Sequence, residues 1–210
     1  MKNIKHPAIL NIQKIYRENE KLYIITPCFS GKNLKTFIKG ENRLNERQIA
    51  NIVQQILEIT KRLSVDGIQD NQRSNLEDLW HSKNFYRDLK IENFVIDPET
   101  HEVNMIDFGS MSQFPNIHDL KENLKAAVSQ PPESLKGGYQ LGSECWSIGV
   151  ITYQLLTGVG PYRGNNIREL FNNIVNGVSR YAESFDYSDQ AYDFITNMLG
   201  AQVIYIRFLS

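Results

Sequence analysis

The stretch "FYRDLKIENFVID", residues 85–97, sets a carboxylate, a cation and an amide within six positions of one another. Asp88 can orient a hydroxyl group and accept its proton. Lys90 can neutralise a phosphoryl group in transit. The side-chain carbonyl of Asn93 is a hard oxygen ligand suited to Mg²⁺. Asp107, in "IDFG", follows Asn93 by fourteen residues. A hairpin between them would bring both oxygens to one metal site. Phosphoryl transfer calls for this set, because its catalysis is mostly positioning and charge neutralisation.

The elements that must hold these residues can be read from periodicity. "NIQKIYRENEKLYIIT", residues 11–26, reads as two short strands around a polar turn at 17–21. "PCFSGKN", residues 27–33, reads as a loop, with a short helix over 34–39. Asn45 is placed to cap a helix, with Gln48 at the capping-box position. Ile49, Ile52, Val53, Ile56, Leu57 and Leu63 then follow helical spacing. Residues 64–80 are polar and aperiodic, and read as a surface loop or insertion. "NFVID" (93–97) and "EVNMI" (102–106) read as a hairpin around Asp97-Pro98. Residues 109–142 are loop-rich. Ser143 is placed to cap the apolar helix "ECWSIGVITYQLLT", which stops at Gly158, and amphipathic helices are expected near 167–176 and 188–199. Strands first and helices later favour an α+β protein with segregated parts.

The composition narrows the classes. The chain has 210 residues, 41% hydrophobic and 22% charged, with a net charge of −1. A balanced charge argues against a nucleic-acid or membrane-surface binder, since both want a basic excess on one face. Two cysteines, Cys28 and Cys145, make no disulfide framework and fit a reducing, cytoplasmic compartment. The start, "MKNIKHPAIL", has no apolar run of signal-peptide length. His6, His81, His101 and His118 show no metal-ligand spacing.

Three further fragments occur in a meaningful order: "PPE" (131–133), "WSIGVITYQLLTG" (146–158) and "GPYRG" (160–164). With "YRDLKIEN" and "IDFG", they make the chain resemble the eukaryotic protein kinases. It looks closest to the calcium/calmodulin-dependent-type serine/threonine group. "HPAIL" (6–10) resembles the turn after the αC helix of that family, and "LYIITPCF" (22–29) its fifth strand and hinge. The resemblance implies a two-lobed fold with a mostly helical large lobe and only a two-stranded remnant of the small lobe. It implies ATP- and Mg²⁺-dependent phosphorylation of serine or threonine in a protein substrate. Asp88 would be the catalytic base, Lys90 would meet the γ-phosphate, and Asn93 and Asp107 would hold Mg²⁺. Adenine would bond the Pro27 carbonyl and the Phe29 N–H. Thr26 would guard the back pocket, and Val95 would lie beneath the base. Thr26, Pro27, Phe29 and Val95 equally suit ordinary strand and hairpin packing, and both readings stand.

The resemblance also sets out departures. Residues 1–28 match a small-lobe remnant and hinge, 29–199 a large lobe with an insertion near 64–80, and 200–210 an atypical tail. Family members carry about seventy or more residues before "HPAIL", holding a Gly-rich loop, a strand lysine and an αC glutamate. No Gly-x-Gly-x-x-Gly run occurs in these 210 residues. A gene-model fragment or a truncated protein is the expectation. A threonine that normally bonds the catalytic Asp and Lys maps to Ala126, and a buried aspartate maps to Glu144. An activating phosphate would sit on Ser110, Ser112 or Ser129 and pair with Arg87. Glu133 lacks its usual arginine, for which Arg207 is the substitute at hand. The rival class is a catalytically weak, pseudokinase-like interaction module. The oligomeric state is left open.

Overall fold

The structure is a computed structural model that describes residues 6–10, 12–40, 44–66, 89–107, 128–134, 143–177 and 187–200. Its strands are β1 (Lys14–Glu18), β2 (Lys21–Ile25), β3 (Lys32–Asn33), β4 (Phe94–Ile96) and β5 (Val103–Met105). Its helices are α1 (Leu34–Ile38), α2 (Glu46–Asp66), α3 (Ser143–Thr157), α4 (Ile167–Val175) and α5 (Asp189–Leu199). A 3₁₀ turn spans Ile91–Asn93. β1–β3 come before α1 and α2, β4 and β5 follow α2, and α3–α5 end the order, so sheet and helices are largely segregated as in an α+β protein.

β1 and β2 form an antiparallel ribbon that pairs with no other strand among the described residues. Its turn uses Asn19 and Glu20, both with positive φ (47° and 63°). That is the two-residue turn whose twist suits a hairpin. Both faces of the ribbon are exposed: Ile15, Tyr16, Leu22, Tyr23, Ile24 and Ile25 are each at least 41% accessible. The second sheet runs β3-β4-β5, all antiparallel. Ile9 adds a parallel bridge to Met105, with Met105 N–H donating to the Ala8 carbonyl at 2.8 Å.

The pairing of β3 corrects the expected loop at 27–33. Gly31 explains it. Its φ is +134°, and a Cβ there would lie 2.3 Å from the Ile96 carbonyl oxygen. Only glycine lets the chain descend so closely on β4, and Lys32 and Asn33 then fall into register with Ile96 and Val95.

α2 opens with the expected reciprocal cap. Gln48 N–H donates to Asn45 Oδ1 and Asn45 N–H donates to Gln48 Oε1, each at 2.9 Å. Ile49, Ile52, Val53, Ile56, Ile59 and Leu63 are buried on one face. The helix continues to Asp66, so residues 64–66 belong to it and not to an insertion; 67–80 lie outside the described residues. α3 is buried on nearly every side, as its continuous apolar sequence demands. Gly149 admits α5 against it: a Cβ there would meet Met198 Cβ at 2.8 Å and Leu199 Cδ2 at 2.9 Å. A carboxylate joins α2 to α5. Glu46 accepts from the backbone N–H of Ser188 at 3.1 Å and from its hydroxyl, while Ser188 Oγ caps α5 through Ala191 N–H.

Candidate active site

The cluster is built on a short extended run. Leu89 and Ile91 are each 1% accessible, and Lys90 between them is extended (φ −147°, ψ 155°) and half-buried. Alternation therefore anchors Lys90 on both sides in the core. Asn93 N–H donates back to the Lys90 carbonyl at 3.0 Å, closing the 3₁₀ turn. Asn93 is buried, at 3% accessible. Its own carbonyl accepts from Ile106 N–H at 3.0 Å. This bond sets Asn93 beside the residue preceding Asp107, which is exposed. The hairpin thus sets the backbone of the Lys90–Asn93 turn beside Ile106, the neighbour of Asp107.

The donor set suits a hard cation. Asn93 and Asp107 offer a neutral and an anionic oxygen, and Mg²⁺ is commonly held by one or two carboxylates plus substrate phosphates and water. Among the described residues no group of three or more His, Cys, Asp or Glu side chains gathers into a metal site. A softer, imidazole- or thiolate-rich centre has no counterpart there.

Gly31 also fixes the path of the segment that leads into β3. Its virtual Cβ lies 3.1 Å from Val95 Cγ1, so the 26–30 segment runs into a close approach over β4. Thr26, Pro27 and Phe29 are half-buried in that segment, and Cys28 is exposed. Val95 is half-buried on the strand face opposite Phe94 and Ile96.

A clamp that sequence reading missed holds the 3₁₀ turn from outside. Asn33 Nδ2 donates to the Glu92 carbonyl at 2.6 Å, and Asn33 Oδ1 accepts from Lys35 N–H at 3.0 Å, capping α1. Lys35 Nζ pairs with Glu92 Oε1. An Asn before a helical run signals a cap; its second bond, 59 residues away, leaves no local trace.

Arg87, Asp88, Ser110, Ser112, Ala126 and Arg207 lie outside the described residues. Ser129 corrects an expectation. It is 6% accessible and its carbonyl accepts from Ser147 Oγ at 2.9 Å, so it is no accessible phosphate acceptor in this conformation. Glu133 accepts from Ser143 Oγ at 2.5 Å, at the N-terminus of α3. Glu144 is buried at 6% accessible. Beside it, Cys145 has its thiol pushed up to about 11, first by burial and then by the Glu144 charge.

The 90–107 segment sets a lysine, a buried amide and an exposed carboxylate on one hairpin, a donor set that phosphoryl transfer can use. The comparisons agree with it. The family model for the protein kinase domain matches residues 1–203. The chain is 31% identical over 205 residues to calcium-dependent protein kinase 5 of Plasmodium falciparum (isolate 3D7), covering 95% of this chain and 33% of that protein. It is 28% identical over 204 residues to calcium-dependent protein kinase 4 of Plasmodium berghei (strain Anka), covering 95% and 36%. The crystal structure of Rad53 1-466 in complex with AMP-PNP superposes with a TM-score of 0.74 at 25% identity, over 96% of this chain and 48% of that one. The chain belongs to the protein kinase family. It spans about a third of the length of these curated relatives.

Proposed function

We propose that this chain carries the catalytic face of a serine/threonine protein kinase, which transfers the γ-phosphoryl group of ATP to a protein hydroxyl. The observation that carries the reading is the Ile106 N–H bond to the Asn93 carbonyl, which joins the Lys90–Asn93 turn to the approach of Asp107. Asp88 orients the substrate hydroxyl and accepts its proton. Lys90 meets the charge that develops on the transferred group. Asn93 and Asp107 hold Mg²⁺, which when bound neutralises the phosphate oxygens. Pro27 and Phe29 contact adenine above Val95. The lysine two positions after Asp88 supports serine and threonine as acceptors. The kinase relatives support a protein as substrate, and the two free cysteines, Cys28 and Cys145, favour a reducing, cytoplasmic setting. The AMP-PNP in the Rad53 complex supports ATP as donor.

The test compares two substitutions in a phosphoryl-transfer assay with Mg·ATP. Asp88→Asn removes the base and leaves the nucleotide contacts, so turnover falls at least a hundredfold at unchanged ATP affinity. Asp107→Asn lowers turnover and also weakens the Mg²⁺-dependent part of ATP binding. Full activity in both variants refutes the assignment. A second reading, an interaction module with little transfer activity, is favoured by one fact: no Gly-x-Gly-x-x-Gly run occurs among these 210 residues. Nucleotide binding without transfer by the wild type decides for it.

A further inference from the structure

The β1–β2 ribbon has an outer edge on each strand. The residues that flank a two-residue turn exchange both hydrogen bonds, and bonded and non-bonded pairs then alternate along the ladder. In the register of this hairpin, Glu18 with Lys21, Tyr16 with Tyr23 and Lys14 with Ile25 are therefore the bonded pairs. Ile15 and Arg17 stand opposite Ile24 and Leu22 at the non-bonded positions. Their N–H and C=O groups point away from β2, along an edge that pairs with no strand among the described residues. An open edge of this kind is a template for another strand.

The residues of β1 say which strand fits. The strand reads Lys-Ile-Tyr-Arg-Glu and every residue in it is exposed. Reversed against itself about Tyr16, it sets Lys14 opposite Glu18 at both ends and Tyr16 opposite its own copy. Ile15 falls opposite Arg17, so the outward backbone groups of one copy meet those of the other as bonded pairs. Lys14, Tyr16 and Glu18 share one face of the ribbon, and the Lys14 ammonium lies 4.8 Å from the centre of the Tyr16 ring. No ion pair among the described residues uses Arg17 or Glu18. Tyr23 stands opposite Tyr16, so the join would carry a row of tyrosines across a continuous sheet. β2 has no such match: reversed about Tyr23, it puts Lys21 against Ile25. A join of β1 to β2 leaves an edge open at each end and propagates instead of closing.

We propose that the β1 edge is a self-association surface, on which two copies of the chain pair antiparallel about Tyr16, with Lys14 of each copy set against the other copy's Glu18. The partner is a second copy because β1 carries, in reverse, the charge order that its own edge presents, and a two-fold contact needs this self-complementarity. The inference does not depend on the phosphotransfer reading. One pairing of short strands is smaller than the interface of a stable dimer, which buries about 1,200–2,000 Å², so this dimer is weak and opens on dilution.

Sedimentation equilibrium of the whole chain at low salt, over rising concentration, gives the monomer–dimer constant. Glu18→Lys alone and Lys14→Glu alone each set like charges across the join, and each should weaken self-association at least about fivefold. An equimolar mixture of these two variants restores the match and should form a heterodimer of about wild-type affinity. The register is read by cross-linking in a Cys28→Ser background. Non-bonded partners have Cα atoms about 4.5 Å apart, within the span of a disulfide. Mild oxidation should therefore yield a disulfide dimer from Tyr16→Cys and little from Ile15→Cys, whose copies lie diagonally across the join. All these side chains are exposed, so the core is untouched. A wild type that stays monomeric, growth beyond a dimer, affinity indifferent to the charge changes, or no rescue on mixing overturns the proposal. Equal cross-linking at residues 15 and 16, or faster cross-linking from Tyr23→Cys, overturns it as well.

Discussion

Asn33 uses both ends of one amide, and the two ends can be cut separately. Asn33→Asp keeps an oxygen to cap α1 but loses the donor to the Glu92 carbonyl. Asn33→Ala loses both. A net hydrogen bond is worth about 1 kcal/mol, and a lost cap about 1 kcal/mol more. Thermal unfolding should therefore rank wild type above Asn33→Asp above Asn33→Ala. Equal melting temperatures for the two variants would show that the bond to the 3₁₀ turn adds nothing. The cysteines give a second reading of single residues. Cys145 keeps its proton through the neutral range, its thiol pushed up to about 11, so iodoacetamide at pH 8 should label Cys28 and spare Cys145. If Pro27 and Phe29 contact adenine, Mg·ATP should slow labelling of Cys28 between them. Unchanged labelling at saturating nucleotide would remove the hinge assignment.

Helix ends and helix crossings show where sequence reading succeeds and where it stops. The Asn45–Gln48 cap, the α2 stripe and the Phe94–Met105 hairpin follow periods of 3.6 and 2 and fixed cap offsets, so all were legible. β3 was not, because two residues carry no period and its cause is the close approach at Gly31. The Asn33–Glu92 clamp and the burial of Ser129 depend on partners far away in the chain. Gly149 illustrates the same point: a glycine inside a helix signals weakness locally, yet here it is the contact with α5. Gly149→Ala forces backbone or Met198 and Leu199 to move, at a cost of about 1–3 kcal/mol. The melting temperature should fall by several degrees; an unchanged or raised value would mean that α5 yields freely. The tie between α2 and α5 has a pH signature. The Ser188 hydroxyl and then its N–H hold the Glu46 carboxyl below the usual glutamate range. A depressed folded pKa stabilises the fold above the unfolded value of about 4.3, and that stability is lost as pH falls through the lower folded value. Glu46→Gln should flatten the acid limb of the stability curve below pH 4.3 and leave its shape at neutral pH unaltered. An unchanged acid limb would rule out the tie as its source.

The molecule divides its apolar surface unevenly. α2, α3, β4 and β5 share one continuous core, while the β1–β2 ribbon lies open on both faces. The phosphate contacts that a Gly-rich loop supplies have no motif in these 210 residues, so calorimetry with Mg·ATP should give a dissociation constant weaker than micromolar; a sub-micromolar value would show that the hinge and metal ligands suffice alone. The open ribbon has a kinetic consequence. A two-stranded hairpin is at best marginally stable by itself, and amide protons in such a unit exchange with solvent through local openings that the core does not share. After transfer to D₂O at neutral pH, the ladder amides of β1 and β2 should deuterate in the earliest time points. Those of α3, released only when the whole core opens, should remain protonated orders of magnitude longer. Anything that seats on the ribbon would then announce itself as a selective slowing of ten residues against an unchanged background, a footprint readable before the binder is known.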